Sequence, residues 1–137
     1  MNGKSVLLLI WGLLLIPSCT KQKSQNFPNP MSEMAIAMRD MTEKLQEVKK
    51  NLKEENIPKL NFPTFSSLEM TDDSFDKPGF LQMAQQLIQL SEKFDSQPTI
   101  QHHNDVVYMC QSCHNYLCPG PLERIKKLEY PINGNSN

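Results

Sequence analysis

Residues 110–118, CQSCHNYLC, place three cysteines and one histidine within nine positions. Thiols and imidazoles bind soft metals, exchange disulfides and form covalent bonds to cofactors. Which of these the segment does depends on the spacing of the side chains and on the compartment in which the chain works. The four candidates are Cys110, Cys113, His114 and Cys118.

The order Cys-x-x-Cys-His in an exported protein indicates covalent haem attachment. Two thiols three residues apart on a helix can each form a thioether with a vinyl group of haem, and the adjacent histidine can bind the iron as proximal ligand. These roles fall to Cys110, Cys113 and His114. We therefore expect one covalently bound haem c as the cofactor.

Three other interpretations of this segment stay open. A structural zinc site would need Cys118 as a fourth ligand, crowded onto the same helix, and usually has a second Cys/His pair. A thioredoxin-type dithiol is expected in a βαβ setting, which the sequence pattern does not indicate. A disulfide between Cys110 and Cys113 inside a helix would be strained.

The N-terminus predicts export. Lys4 precedes about eleven apolar residues, VLLLIWGLLLI, the length of a signal-peptide core and too short for a membrane span. The segment up to Cys19 resembles a bacterial lipoprotein signal, in which cleavage leaves a cysteine that carries lipid. We expect residues 1–18 to be removed and residues 19–31 to form a flexible tether.

Lipid on Cys19 would hold the protein on a membrane without a spanning helix. The expected location is therefore the periplasm, with a lipid anchor in the cell membrane, and Thr20 favours the outer membrane. An ordinary secretory cleavage and an uncleaved anchor are the alternatives.

Apolar residues recur at helical spacing in three segments, which predicts an all-α fold. The expected helices cover residues 32–55, 77–95 and 99–118. Prolines 58 and 63 exclude one long helix in the connection, so we expect a short second helix at 63–70. The predicted architecture is an antiparallel four-helix bundle with a short or irregular second helix. The predicted domain spans residues 32–130 and is followed by a disordered tail, 131–137.

Two stretches, SEMAIAMRDM (32–41) and CQSCHNYLCPGPLERIKKL (110–128), resemble small cytochrome lipoproteins of Bacteroidetes-type bacteria. A haem motif on the last helix is similar to class II cytochromes c, the cytochrome c-prime family. The resemblance implies that the first helix covers the distal face of the haem. In low-spin members a methionine followed by a basic residue lies on that helix, and Met38 with Arg39 matches this pattern.

Met38 is thus the expected distal iron ligand, with Met41 and Met34 as alternates. A methionine stripe at helical spacing is often only core packing. Two further histidines, His102 and His103, are expected to be solvated surface residues, because the helix that carries the proximal ligand cannot bring them to the opposite side of the ring.

The composition excludes some functions. A formal net charge of −1 gives no electrostatic footprint for nucleic acid. No general acid/base pair, nucleophile triad or phosphate-binding loop is present, so we do not expect an enzyme. We expect a carrier of single electrons between redox proteins. The alternative is a five-coordinate cytochrome c-prime-like protein that binds NO or CO. The resemblance also implies a possible homodimer.

Overall fold

The computed structural model describes residues 31–132, and within that range the protein is all-helical. It has four α-helices, one 3-10 turn and no strand there, so the all-α prediction is confirmed. The helices are α1 (Glu33–Asn51), α2 (Phe80–Ser96), α3 (Ile100–Leu117) and α4 (Leu122–Lys126), and the 3-10 turn is Asp73–Phe75.

Several sequence expectations lie outside the described residues. These are the signal at residues 1–18, the lipid on Cys19, and all but the last residue of the tether at 19–31. Most of the tail, 133–137, also lies outside. No helix in the described part of the chain is long and apolar enough to cross a membrane.

Two of the three long helices begin at a side-chain cap. The side chain of Ser32 accepts a hydrogen bond from the Ala35 N–H, and that of Thr99 accepts one from the His102 N–H. Each bond satisfies one of the donors that a helix start leaves unpaired. Before α2 the chain turns at Gly79, whose φ of 92° is a left-handed conformation that suits glycine.

The predicted helix at 63–70 is wrong. Residues 57–71 contain no helix, only a turn closed by the Leu68 N–H on the Phe65 carbonyl. The Asp95 carboxylate on α2 accepts the N–H groups of Leu60 and Asn61, at 2.6 and 2.9 Å. These bonds fix an extended segment whose Leu60 and Phe65 side chains are fully buried. The segment thus buries its apolar residues without forming helical turns.

Helix α2 packs closely and antiparallel against α3, because only residues 97–99 join them. Their far ends meet where the Tyr116 hydroxyl donates to the Pro78 carbonyl, at 3.4 Å. Helix α4 turns back along α3. Lys49, near the end of α1, donates to the Lys127 carbonyl. His103, near the start of α3, contacts the carbonyl of the next residue, Leu128.

The segment 57–71 lies between α1 and α2. Its far part contacts the start of both helices, through the Met34 N–H on the Glu69 carbonyl and the packing of Phe65 on Phe80. Asn61 contacts Lys44 of α1 and Asp95 near the end of α2, so α1 runs in the same direction as α2 and antiparallel to α3.

The antiparallel arrangement gives the domain two distinct ends. The N-terminal parts of α1 and α2 lie at the same end as the C-terminal part of α3, and we call this the site end. The end of α1, the start of α3 and the chain after α4 lie together at the opposite end, which we call the closed end.

Candidate functional site

The three residues of the expected haem motif lie in the last two turns of α3. Cys113 is buried at 8% exposure, and Cys110 and His114 are partly buried. Val107 and Leu117, on the same helix face, are in the core. Helical geometry therefore presents the two thiols and the imidazole together, toward the interior of the site end.

The chain immediately after α3 orients the imidazole of His114. Nδ1 of His114 lies 3.2 Å from the carbonyl oxygen of Cys118 and 3.2 Å from its Sγ. A carbonyl can only accept, so the contact with the Cys118 carbonyl is a hydrogen bond when Nδ1 carries the proton. This tautomer leaves the lone pair on Nε2, the atom that a metal ligand needs.

Pro119 explains why that carbonyl is available. A residue before proline is driven out of the helical conformation, and Cys118 has φ −149° and ψ 86°. Its N–H still closes the last turn on the His114 carbonyl at 3.1 Å, and its own carbonyl faces the His114 ring. The helix stop therefore also serves as the support of the imidazole.

Both thiols of the motif are held in the protonated form. Burial raises the pKa of Cys110 to about 12, with a smaller contribution from Cys113. Burial also raises the pKa of Cys113 to about 11, with a smaller contribution from Cys118. Reactive dithiols need a lowered pKa, because the thiolate is the nucleophile. This environment argues against a dithiol that exchanges disulfides at neutral pH.

All three cysteines in the described range are free, and Cys118 is partly buried. Burial raises the pKa of the Cys118 thiol, and the nearby Lys77 partly offsets this. Within residues 31–132, no three His, Cys, Asp or Glu side chains are grouped so that they could hold a metal ion.

The three methionines of α1 occupy different environments. Met41 is only 3% exposed and belongs to the core with Leu45 and Val48, whereas Met34 and Met38 are partly buried and pack on its edge. The fully buried face of α1 begins at Ala37, so Met34, one turn earlier, lies outside it. An α1 methionine available for a cofactor at the site end is therefore Met34 or Met38.

The end of α1 and the start of α3 lie near each other at the closed end, where Lys49 donates to the Lys127 carbonyl and His103 contacts the Leu128 carbonyl. Met38 precedes Lys49 along α1, and His114 follows His103 along α3, so both lie toward the site end.

The expectation that His103 is a solvated surface residue is wrong. Its side chain is fully buried, Nε2 donates to the Leu128 carbonyl at 3.0 Å, and Nδ1 has no partner. Burial lowers its pKa. His102 is partly exposed and contacts the Gln97 carbonyl. The chain after α4, which covers His103, could not be positioned from the helix pattern alone.

Sequence reasoning also missed the surroundings of the motif. The Lys77 ammonium donates to the Tyr116 carbonyl at 3.0 Å and lies 5.4 Å from the centre of the Tyr116 ring. Sequence separation hides this contact, because α2 and α3 meet only through tertiary packing. In contrast, Pro119 was a visible signal that Cys118 would leave the helix.

Comparisons with known proteins give no relative: no family model, no curated protein and no solved structure matches the chain. The case for a function therefore depends on the residues and their geometry.

Proposed function

We propose that the chain is a monohaem c-type cytochrome that transfers single electrons, anchored by lipid on Cys19 in the periplasm. The observation that carries this is the hydrogen bond of His114 Nδ1 to the Cys118 carbonyl, at 3.2 Å. It supports the tautomer with the proton on Nδ1, which an axial imidazole needs, at the histidine that follows the Cys-x-x-Cys pair.

The donor set also fits a covalent haem. Cys110 and Cys113 would hold it through thioethers, and His114 Nε2 would bind the iron. Bound haem supplies a one-electron couple at a centre shielded from water. The high pKa values of the two thiols favour a structural bond over exchange chemistry. The described helices would then form three walls of a four-helix bundle, with the extended segment 57–71 replacing most of the second helix.

Met38 is the proposed distal ligand. Its partial burial leaves the thioether accessible, and it lies toward the site end of α1. Met34 is the alternate, and Met41 is the weaker one because it is packed in the core. If none of them binds the iron, the protein is the five-coordinate alternative, open to NO or CO.

Mass spectrometry of the chain, exported from a host that matures c-type cytochromes, tests the attachment. We expect one added haem in the wild type and none in Cys110→Ser/Cys113→Ser. Cys118→Ser is the matched control and should keep the haem. A wild-type chain without added mass would refute the proposal.

Optical spectra of the haem protein test the distal ligand. Met38→Ala should convert a low-spin spectrum to a high-spin one that responds to CO. Met34→Ala is the control and should remain low-spin. A wild-type spectrum that is already high-spin would support the gas-binding alternative.

A further inference from the structure

A group of exposed residues lies beside the cysteine motif, at the site end. Tyr116 is 49% exposed and contacts Lys77 and Pro78, and Leu81 follows in the first turn of α2 at 59% exposure. We call these four residues the tyrosine patch. Tyr116 lies in the same final turn of α3 as His114 but on a different side of the helix, so the patch is at the same end of the domain as the proposed haem site.

The chain that leads into the patch is acidic. Asp72, Asp73 and Asp76 are all exposed and immediately precede Lys77. The three carboxylates are called the acidic loop below. Asp72 caps the 3-10 turn by accepting the Ser74 N–H at 2.8 Å, and hydrogen bonds from Ser74 lower its pKa, so it is ionised at neutral pH. The patch therefore has an apolar part with negative charge along one side.

Large exposed apolar residues are concentrated at this end of the described domain. Met31, Ile36, Leu81 and Tyr116 lie there, while Tyr108 is in the middle of α3 and Ile132 at the closed end. Interfaces between proteins combine exposed aromatic and aliphatic side chains with a charged rim. Complementary charge speeds the encounter of two partners.

We propose that the tyrosine patch and the acidic loop form the docking surface for a redox protein with a basic surface. The inference rests on the proposed electron-transfer function. The carboxylates steer lysine-rich partners to the site end, and Tyr116 and Leu81 make the apolar contact beside the motif. One electron then passes between the two proteins, oxidising one and reducing the other, and no bond is made or broken.

A lysine-rich class I cytochrome c is the probe, because it carries the basic surface that the proposal requires. Its binding to the full mature chain is followed by NMR of the labelled probe, and electron transfer by stopped-flow absorbance, at increasing ionic strength. We expect binding and rate to fall as salt rises, since salt screens exposed charges.

Paired variants locate the surface. Asp73→Asn/Asp76→Asn should weaken binding about three- to tenfold at low salt and flatten the salt dependence. Glu54→Gln/Glu55→Gln removes two exposed carboxylates at the end of α1 and should change neither. If the two double variants lose the same affinity for the probe, the proposal is overturned. The same holds if binding by the wild type does not depend on salt.

Apolar variants test the contact itself. Leu81→Ser should weaken binding about fivefold or more, as truncation of a central interface residue does. Ile132→Ser, at the closed end, is the matched control. If Leu81→Ser binds the probe as well as the wild type, the tyrosine patch is not the contact surface.

The two readouts separate this inference from the proposed function. NMR binding does not need haem on the chain. Binding that is retained without electron transfer would count against the cytochrome, whereas a haem-loaded chain that shows no binding would count against the docking surface alone.

Discussion

At the closed end, polar side chains of α3 hold the rest of the chain in place. His103 donates to the Leu128 carbonyl, and Asn104 makes two bonds with the backbone of Tyr130: its amide donates to the carbonyl and its oxygen accepts the N–H. Both side chains are fully buried. Apart from His103 Nδ1, these buried polar groups are satisfied by the protein itself.

At the site end the same helices leave several sulphur-bearing residues only partly covered, although Cys113 is buried. Met34, Met38, Cys110 and Cys118 all lie at the edge of the core. The imidazole of His114 is fixed at Nδ1, which leaves Nε2 for another partner. At the closed end the buried polar groups other than His103 Nδ1 are paired within the protein. At the site end the protein instead presents ligand atoms that a cofactor could use.

The largest expected effect separates two methionines of α1. Met41→Ala should lower the free energy of unfolding by about 2–5 kcal/mol, because it leaves a cavity in the core. Met38→Ala should cost less, because that side chain is partly exposed. Urea unfolding of haem-free protein measures both. Equal losses would show that the site end is packed as tightly as the core.

The closed end should depend strongly on Asn104. Asn104→Ala removes both bonds to Tyr130 and leaves partly buried backbone groups unpaired, which should cost about 1–3 kcal/mol in urea unfolding. Gln101→Ala removes an exposed bond to Asp105 and serves as the control. If the two variants lose the same free energy of unfolding, the bonds between Asn104 and Tyr130 do not stabilise the closed end.

Lowering the pH should reduce the free energy of unfolding, because His103 is buried at the closed end. Its pKa is lowered by burial from the ordinary value of 6.5, so below that pH the unfolded chain takes up a proton that the folded chain resists. The contribution of His103 to stability should therefore fall with pH below 6.5, by at most about 1.4 kcal/mol per unit, until its folded-state pKa is passed. Burial also lowers the pKa of His114, which adds to the slope in the same direction.

Thermal unfolding at several pH values measures this slope. His103→Gln keeps a donor for Leu128 and should reduce the slope, whereas His102→Gln should retain it. An unchanged slope in His103→Gln would show that another group is responsible.

The smallest expected effect concerns the thiol of Cys118 in the haem-loaded protein. Cys118→Ala keeps the carbonyl that accepts from His114 but removes the sulphur 3.2 Å from Nδ1. An acceptor beside an axial imidazole increases its basicity and favours the oxidised iron. The reduction potential should therefore rise slightly, and Cys118→Ser should lie closer to the wild type. A fall in potential would contradict this role.

Some elements of the fold could be predicted from the sequence and others could not. The three long helices followed from apolar spacing, and the structure caps α1 at Ser32 and α3 at Thr99. The helix at 63–70 failed because tertiary bonds from Asp95 support an extended backbone there. The burial of His103 was also missed, because it is covered by residues distant in sequence.

The sequence by itself determined the helical segments, the Cys-x-x-Cys-His spacing and the stop at Pro119, because each depends on residues a few positions apart. Only the tertiary structure decided the separation of Met38 from Met41, the burial of His103, and the assembly of Tyr116 with Lys77. These depend on how the chain returns after each helix, which local spacing does not encode. The physical reason is that burial is set by contacts between segments distant in sequence.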